Sequence, residues 1–181
     1  MKKFSIIGLA VVYIFLNSIV PAESATYEET VAQWTSYKDV ENWMKKYFVY
    51  DYNKVGTGTP QSPELTFERR SGICFDGAFF IKAALNRINP AYDAQLVFIK
   101  NKVGQINHWV TAFTSEGKLY VMDYMLGKKL QPWEGLHGPY DSLKGYEKFL
   151  SSRPTEDFVM DFVKYRWNKR DFMKQESKSE D

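Results

Sequence analysis

Between residues 74 and 124 the hydrophobic pattern changes period once, and that change restricts the possible folds more than any other feature of the chain. Cys74, Ala78, Ile81 and Leu85 recur at helical spacing and share one face, and the segment from Asn86 to Pro90 ends the run. Apolar residues then crowd into short runs at 95–99, 107–114 and 118–124. A glycine-containing turn at 102–105 and the turn Ser115-Glu116-Gly117 separate them, which is the pattern of successive strands joined by hairpins. A helix that begins at the only cysteine thus feeds directly into a β-rich region.

The segment before this unit is helical too. Val40, Trp43, Met44, Tyr47 and Phe48 fall on one helical face, with Ser36 or Asp39 available to begin the element. Residues 48–52 alternate enough for a short extended stretch, and 54–61, with Gly56, Gly58 and Pro60, form a loop. Ser62-Pro63-Glu64 supplies an N-cap, a proline at the first helical position and an acid in the first turn of a short helix that ends before Gly72. After the β region, residues 127–139 read as loop, and Asp141 or Ser142 caps a helix through Phe149. A last segment from Thr155 to about Phe172 reads as helix, although Phe158, Met160 and Phe162 alternate.

Residues 1–24 have the layout of a secretory leader. Met1-Lys2-Lys3 is the positive start, residues 6–16 are apolar, and Val20-Pro21-Ala22 and Ala22-Glu23-Ser24 offer small-residue cleavage signatures. The alternative is a retained anchor, but the run falls short of the roughly 20 apolar residues a span needs, and Asn17 interrupts it. The expected organisation is a leader over 1–24, one domain over 25–173 and a disordered polar tail over 174–181, in a periplasmic or secreted protein with no stable membrane insertion once the leader is removed. Loss of Lys2, Lys3 and Glu23 takes the net charge of +2 close to zero. With charges interspersed, that excludes the basic stripe of nucleic-acid binders.

Aromatic residues make up 17% of the chain. They serve first to fill the core of a small domain, and a substrate groove lined by them is the alternative. Cys74 is the only cysteine, so the chain cannot brace itself with an internal disulfide. It is either a small buried hydrophobe or a working thiol.

Three residues carry the chemistry. Cys74 follows Gly72-Ile73 and opens a helix, where unpaired first-turn N–H groups and the positive dipole end favour a thiolate. Gly72 would let the backbone turn sharply and a substrate carbonyl come close, and the Cys74 amide could donate to an oxyanion. A thiol nucleophile needs a base that later returns the proton, and imidazole suits neutral pH. The two histidines are His108, early in a strand, and His137, in the looser 135–139 loop, so His108 ranks first. A tight turn centred between Ser115 and Glu116 sets Asp123 directly opposite His108, where a carboxylate can hold the imidazole's second N–H. An acid among Leu119, Tyr120, Val121, Met122 and Tyr124 needs a partner if buried.

Arg70-Ser71-Gly72-Ile73-Cys74-Phe75-Asp76-Gly77-Ala78 resembles the Gly-x-Cys-x-acid-x-Ala nucleophile segment of the transglutaminase-like superfamily. Asn107-His108-Trp109-Val110 and Leu119-Tyr120-Val121-Met122-Asp123 resemble that family's His and Asp strands, in the same order. The resemblance covers roughly residues 40–124. It implies an α+β, cysteine-proteinase (papain/transglutaminase-like) fold with the nucleophile helix packed on an antiparallel sheet. It also implies Cys74 as nucleophile, His108 as general base and acid, Asp123 as orienter, and a structural role for Asp76. Tyr50, Tyr52 and Gln61 are candidates for the oxyanion side chain. No cofactor or metal is implied, and the calcium segments and flanking β-domains of large animal transglutaminases are missing from the pattern.

These residues lead to an exported thiol enzyme that attacks an amide or peptide carbonyl and passes the thioester to water, or to an amine in a cross-linking transferase. The resemblance, to single-domain bacterial members, favours hydrolysis. The expected substrate is a protein or peptide, in the cell envelope if the leader acts as read. The alternative from another class is an inactive module that binds peptide or glycan there.

Overall fold

The computed structural model describes residues 25–56, 59–101, 107–124, 133–152 and 160–165. The leader and the polar tail read from the sequence lie outside them, as does the turn at 102–105. Among the described residues no helix is long and apolar enough to cross a membrane.

The chain enters through α1 (Tyr27–Ala32) and α2 (Tyr37–Tyr47). In α1, Thr26 and Glu29 cap each other: the Glu29 amide donates to Thr26 Oγ1, and the Thr26 amide donates to Glu29. Sequence reading did not foresee α1, although Thr-x-x-Glu is the spacing of such a box. In α2 the Asp39 carboxylate accepts from the amides of Ser36 and Thr35, so Ser36 is the cap and Asp39 sits in the first turn. Val40, Trp43 and Met44 form its buried face.

A two-stranded parallel pair, β1 (Val49–Tyr50) and β2 (Ser71–Gly72), brackets α3 (Pro63–Arg69). Ser62 Oγ caps α3 by accepting from the Leu65 amide. Arg70 ends the helix in the left-handed conformation, at φ 53°, turning the chain into β2. Next comes α4 (Cys74–Ile88), the longest described helix, buried along Ala78, Ile81 and Leu85.

The strands β3 (Gln95–Asn101), β4 (His108–Ser115), β5 (Lys118–Asp123), β6 (Gly135–Tyr140) and β7 (Met160–Tyr165) form one antiparallel sheet in the order β6-β5-β4-β3-β7. With α5 (Leu143–Ser151) the architecture is α+β. Helix α4 lies against β4, where Thr111 Oγ1 donates to the Ala78 carbonyl at 2.6 Å. The sheet separates two apolar clusters. One holds Val40, Trp43, Phe80, Ile81 and Phe113 among the first helices. The other holds Val97, Val110, Val121, Tyr146 and Leu150 under α5.

Two expectations need correcting. Residues 135–139, read as loop, belong to β6: glycines and a proline depress strand propensity, but β6 is an edge strand, where Pro139 interrupts no ladder. Gly138, at φ +127°, is needed there because a Cβ would lie 2.9 Å from the Leu119 carbonyl oxygen. Residues 160–165, read as helix, form β7, paired to β3 from Leu96↔Tyr165 to Asn101↔Met160. The alternation from Phe158 to Phe162 was the truer signal, and a neighbouring strand with a free edge decided between the two periods.

Candidate active site

Cys74 is the first residue of α4 and is half-buried. The turn that leads into it is fixed by Asp76, which is fully buried. One carboxylate oxygen accepts from the Ile73 amide at 2.8 Å and from Lys54 Nζ at 2.7 Å, and the other accepts from the Gln61 amide at 2.7 Å. Asp76 thereby ties the helix start to both ends of the loop between β1 and α3. Gly72 is required by the same knot. A Cβ on it would lie 2.7 Å from Asp76 Cβ and 2.8 Å from Gln61 Nε2, so here glycine makes room for close packing.

His108 opens β4 and is buried. Its Nε2 lies 2.9 Å from Asp123 Oδ1, and the Cys74 side chain is near enough to act on the same imidazole. Burial alone would strip the ring of its proton. The Asp123 charge and hydrogen bond, then the hydrogen bond and charge of Cys74, outweigh it and raise the His108 pKa to about 10. In that protonated form Nε2–H donates to Asp123.

The route by which His108 and Asp123 meet differs from the expected one. The hairpin turns at Glu116-Gly117, both at positive φ, as a two-residue loop that matches strand twist requires. Its register runs from Ser115↔Lys118 to Thr111↔Met122, so one further step sets Val110 opposite Asp123. His108 is therefore a diagonal neighbour of Asp123. A slip of two residues keeps side chains on the same face, and the diagonal remains within reach of a long side chain.

Asp123 has a second partner that sequence reading missed. Tyr146 Oη, from α5, donates to Asp123 Oδ2 at 2.7 Å, and Tyr146 is wholly buried. Tyr146 and Leu150, four apart on α5, both lie in the apolar cluster under that helix, and sequence analysis singled out neither. The available signal was the hydroxyl, because a buried tyrosine seeks a partner for it.

The oxyanion candidates separate clearly. Tyr50 pairs with Gly72 across β1 and β2. Burial first, and then the charge of Cys74, push its hydroxyl up to about 12, so it lies within electrostatic reach of the sulfur. Tyr52 is half exposed and its ring centroid is 4.8 Å from that of Tyr50. Gln61 is committed elsewhere: its Nε2 donates to the Ser71 carbonyl and its Oε1 accepts from Arg69. His137 lies on β6 against Tyr146 and Phe149, with ring centroids 5.5 and 4.6 Å away. Among the described residues no group of three or more His, Cys, Asp or Glu side chains could hold a metal ion.

A family model described as a transglutaminase-like domain matches residues 23–133. The chain belongs to the transglutaminase-like family. The match takes in α1 to α4, β3 to β5 and all of Cys74, His108 and Asp123. This transglutaminase-like span ends before β6 and α5, and so before Tyr146. A search of curated proteins gives no match.

Proposed function

We propose that this protein is an exported thiol enzyme that cleaves an amide or peptide bond through a thioester on Cys74. The observation that carries the reading is the buried His108–Asp123 pair, bonded at 2.9 Å, with Cys74 at the start of α4 near enough to act on the imidazole. A cysteine sulfur that can pass its proton to a neighbouring imidazole is ready to attack. Its sulfur bonds to the substrate carbonyl carbon, His108 gives its proton to the departing amine, and water activated by the now neutral imidazole releases the acid. Asp123 keeps the ring in the orientation that serves both partners.

The Cys74 amide at the start of α4 and the Tyr50 hydroxyl are the donors best situated for the developing oxyanion, while Gln61 holds the loop. The contact of α4 with β4 supports the cysteine-proteinase type of packing. The leader-like residues 1–24 support export, and with it a protein or peptide substrate of the envelope or exterior. Release of the thioester to water is favoured over transfer to an amine by the likeness to single-domain bacterial members.

The test is labelling of the purified protein, lacking residues 1–24, with a thiol-directed peptide probe. We expect rapid modification of Cys74 in the wild type and slowing of about a hundredfold or more in His108→Ala. Equal rates in the two, or a wild-type rate no faster than that of the unfolded chain, would end the proposal. With a peptide amide and an added primary amine, the hydrolysed acid should be the main product.

A further inference from the structure

We propose that Tyr146 is a positioning residue of the site: its hydroxyl holds the Asp123 carboxylate in the one orientation that presents Oδ1 to His108. The inference rests on reading His108 and Asp123 as a working pair, and it adds a fourth residue from beyond the span that the family model matches.

Asp123 has only 2% of its surface exposed, and each of its oxygens meets a different buried donor. Oδ1 faces His108 Nε2 at 2.9 Å, and Oδ2 receives Tyr146 Oη at 2.7 Å. A carboxylate held at one oxygen can swing about its Cβ–Cγ bond, whereas one held at both cannot. The two donors come from different elements, β4 and α5, so neither bond follows from the other by chain connectivity. Burial and the neighbouring Asp123 charge both raise the Tyr146 hydroxyl well above its ordinary range, which keeps it a donor. The ring itself is fixed by packing on His137 and Phe149 and within the cluster of Val97, Val121 and Leu150. Among the described residues, the groups acting on this pair include Cys74 at the start of α4, Tyr124 just after β5, and Tyr140 and His137 on β6.

Tyr146→Phe removes the hydroxyl and keeps the ring. We expect kcat to fall about tenfold to a hundredfold with KM within about twofold, the scale of one hydrogen bond to a charged group. We also expect the alkaline limb of the kcat profile to move to lower pH, because a carboxylate that has lost the Tyr146 bond is aimed less firmly at the His108 proton. That second effect is readable without turnover: with ¹⁵N-labelled histidine, the His108 ring signals, identified by their loss in His108→Gln, should titrate at lower pH in Tyr146→Phe. Leu150→Ala, which loosens the same helix face, should lower stability and leave that titration in place. An unchanged titration in Tyr146→Phe, or an equal shift in Leu150→Ala, would overturn the inference. If Tyr146→Phe does not fold, the wild type still decides: a slowly exchanging tyrosine hydroxyl proton lost in Asp123→Ala supports the bond, and its absence removes it. If the peptide probe fails while the histidine titration shifts as expected, the enzymatic reading falls and the positioning of Asp123 by Tyr146 stands.

Discussion

Lys54 Nζ and the fully buried Asp76 Oδ2 form a part-buried ion pair at 2.7 Å that fastens the loop after β1 to the first turn of the Cys74 helix. Asp76 is fully buried and also accepts from two backbone amides, so its removal takes the acceptor from two N–H groups and the counter-charge from Lys54. Asp76→Ala should therefore destabilise the protein by about 3–5 kcal/mol, the usual penalty for breaking a buried pair from one side. Urea denaturation measures it. A loss below about 1 kcal/mol would mean that water or another acceptor replaces the carboxylate.

Gly72→Ala should be damaging for a steric reason. The added methyl would meet Asp76 and Gln61 at 2.7–2.8 Å, and neither is a loose surface chain. We expect a loss of about 1–3 kcal/mol from overpacking and slower alkylation of Cys74, since the helix start must shift. A stable variant with normal alkylation would show that the loop can yield.

Asp123→Asn should fold and lose turnover by about a hundredfold or more, because an amide can no longer balance a charged imidazole. Comparison of kcat and of thermal unfolding in the two proteins checks both halves. Unchanged kcat would remove Asp123 from the site.

The pH dependence has a defined sign. His108 binds its proton more tightly folded, at about 10, than unfolded, at about 6.5. Its contribution to stability is therefore fully present below about pH 6.5 and is lost as pH rises through about 10. Activity needs the same proton, so kcat/KM should decline on the alkaline side with His108. In Asp123→Asn the main force that raises this pKa is gone and burial remains, so the decline should begin at lower pH. Denaturant midpoints and rate profiles between pH 6 and 10.5 test both.

His137→Ala should leave kcat near the wild-type value and lower stability by about 1–2 kcal/mol, through lost contact with Phe149 and Tyr146. A dead but folded variant would mean that the wrong histidine has been assigned as base.

Local signals were legible wherever a residue acts on its own neighbourhood. Ser36, Ser62-Pro63 and the helix opened by Cys74 could be read because caps and helical periods are set within a few positions. The meeting of His108 with Asp123 could be read in kind, since both strands and the turn between them are local. Its register could not: whether the loop pivots on Ser115-Glu116 or Glu116-Gly117 depends on which pair best accepts positive φ, and only the folded hairpin decides that. Beyond Asp123 the reading failed twice, at β6 and β7, where strand identity comes from an available sheet edge and not from composition. Tyr146 could not be singled out for the same reason, because its partner lies 23 positions away.

The edge strand β6 has one more consequence. Pro139 carries no amide hydrogen, and Gly138 at φ +127° departs from extended geometry, so the outer rim there cannot offer a continuous row of donors and acceptors to a foreign chain. Strand addition from a second molecule would stall at Pro139, and the sheet is guarded on that flank against edge-to-edge aggregation.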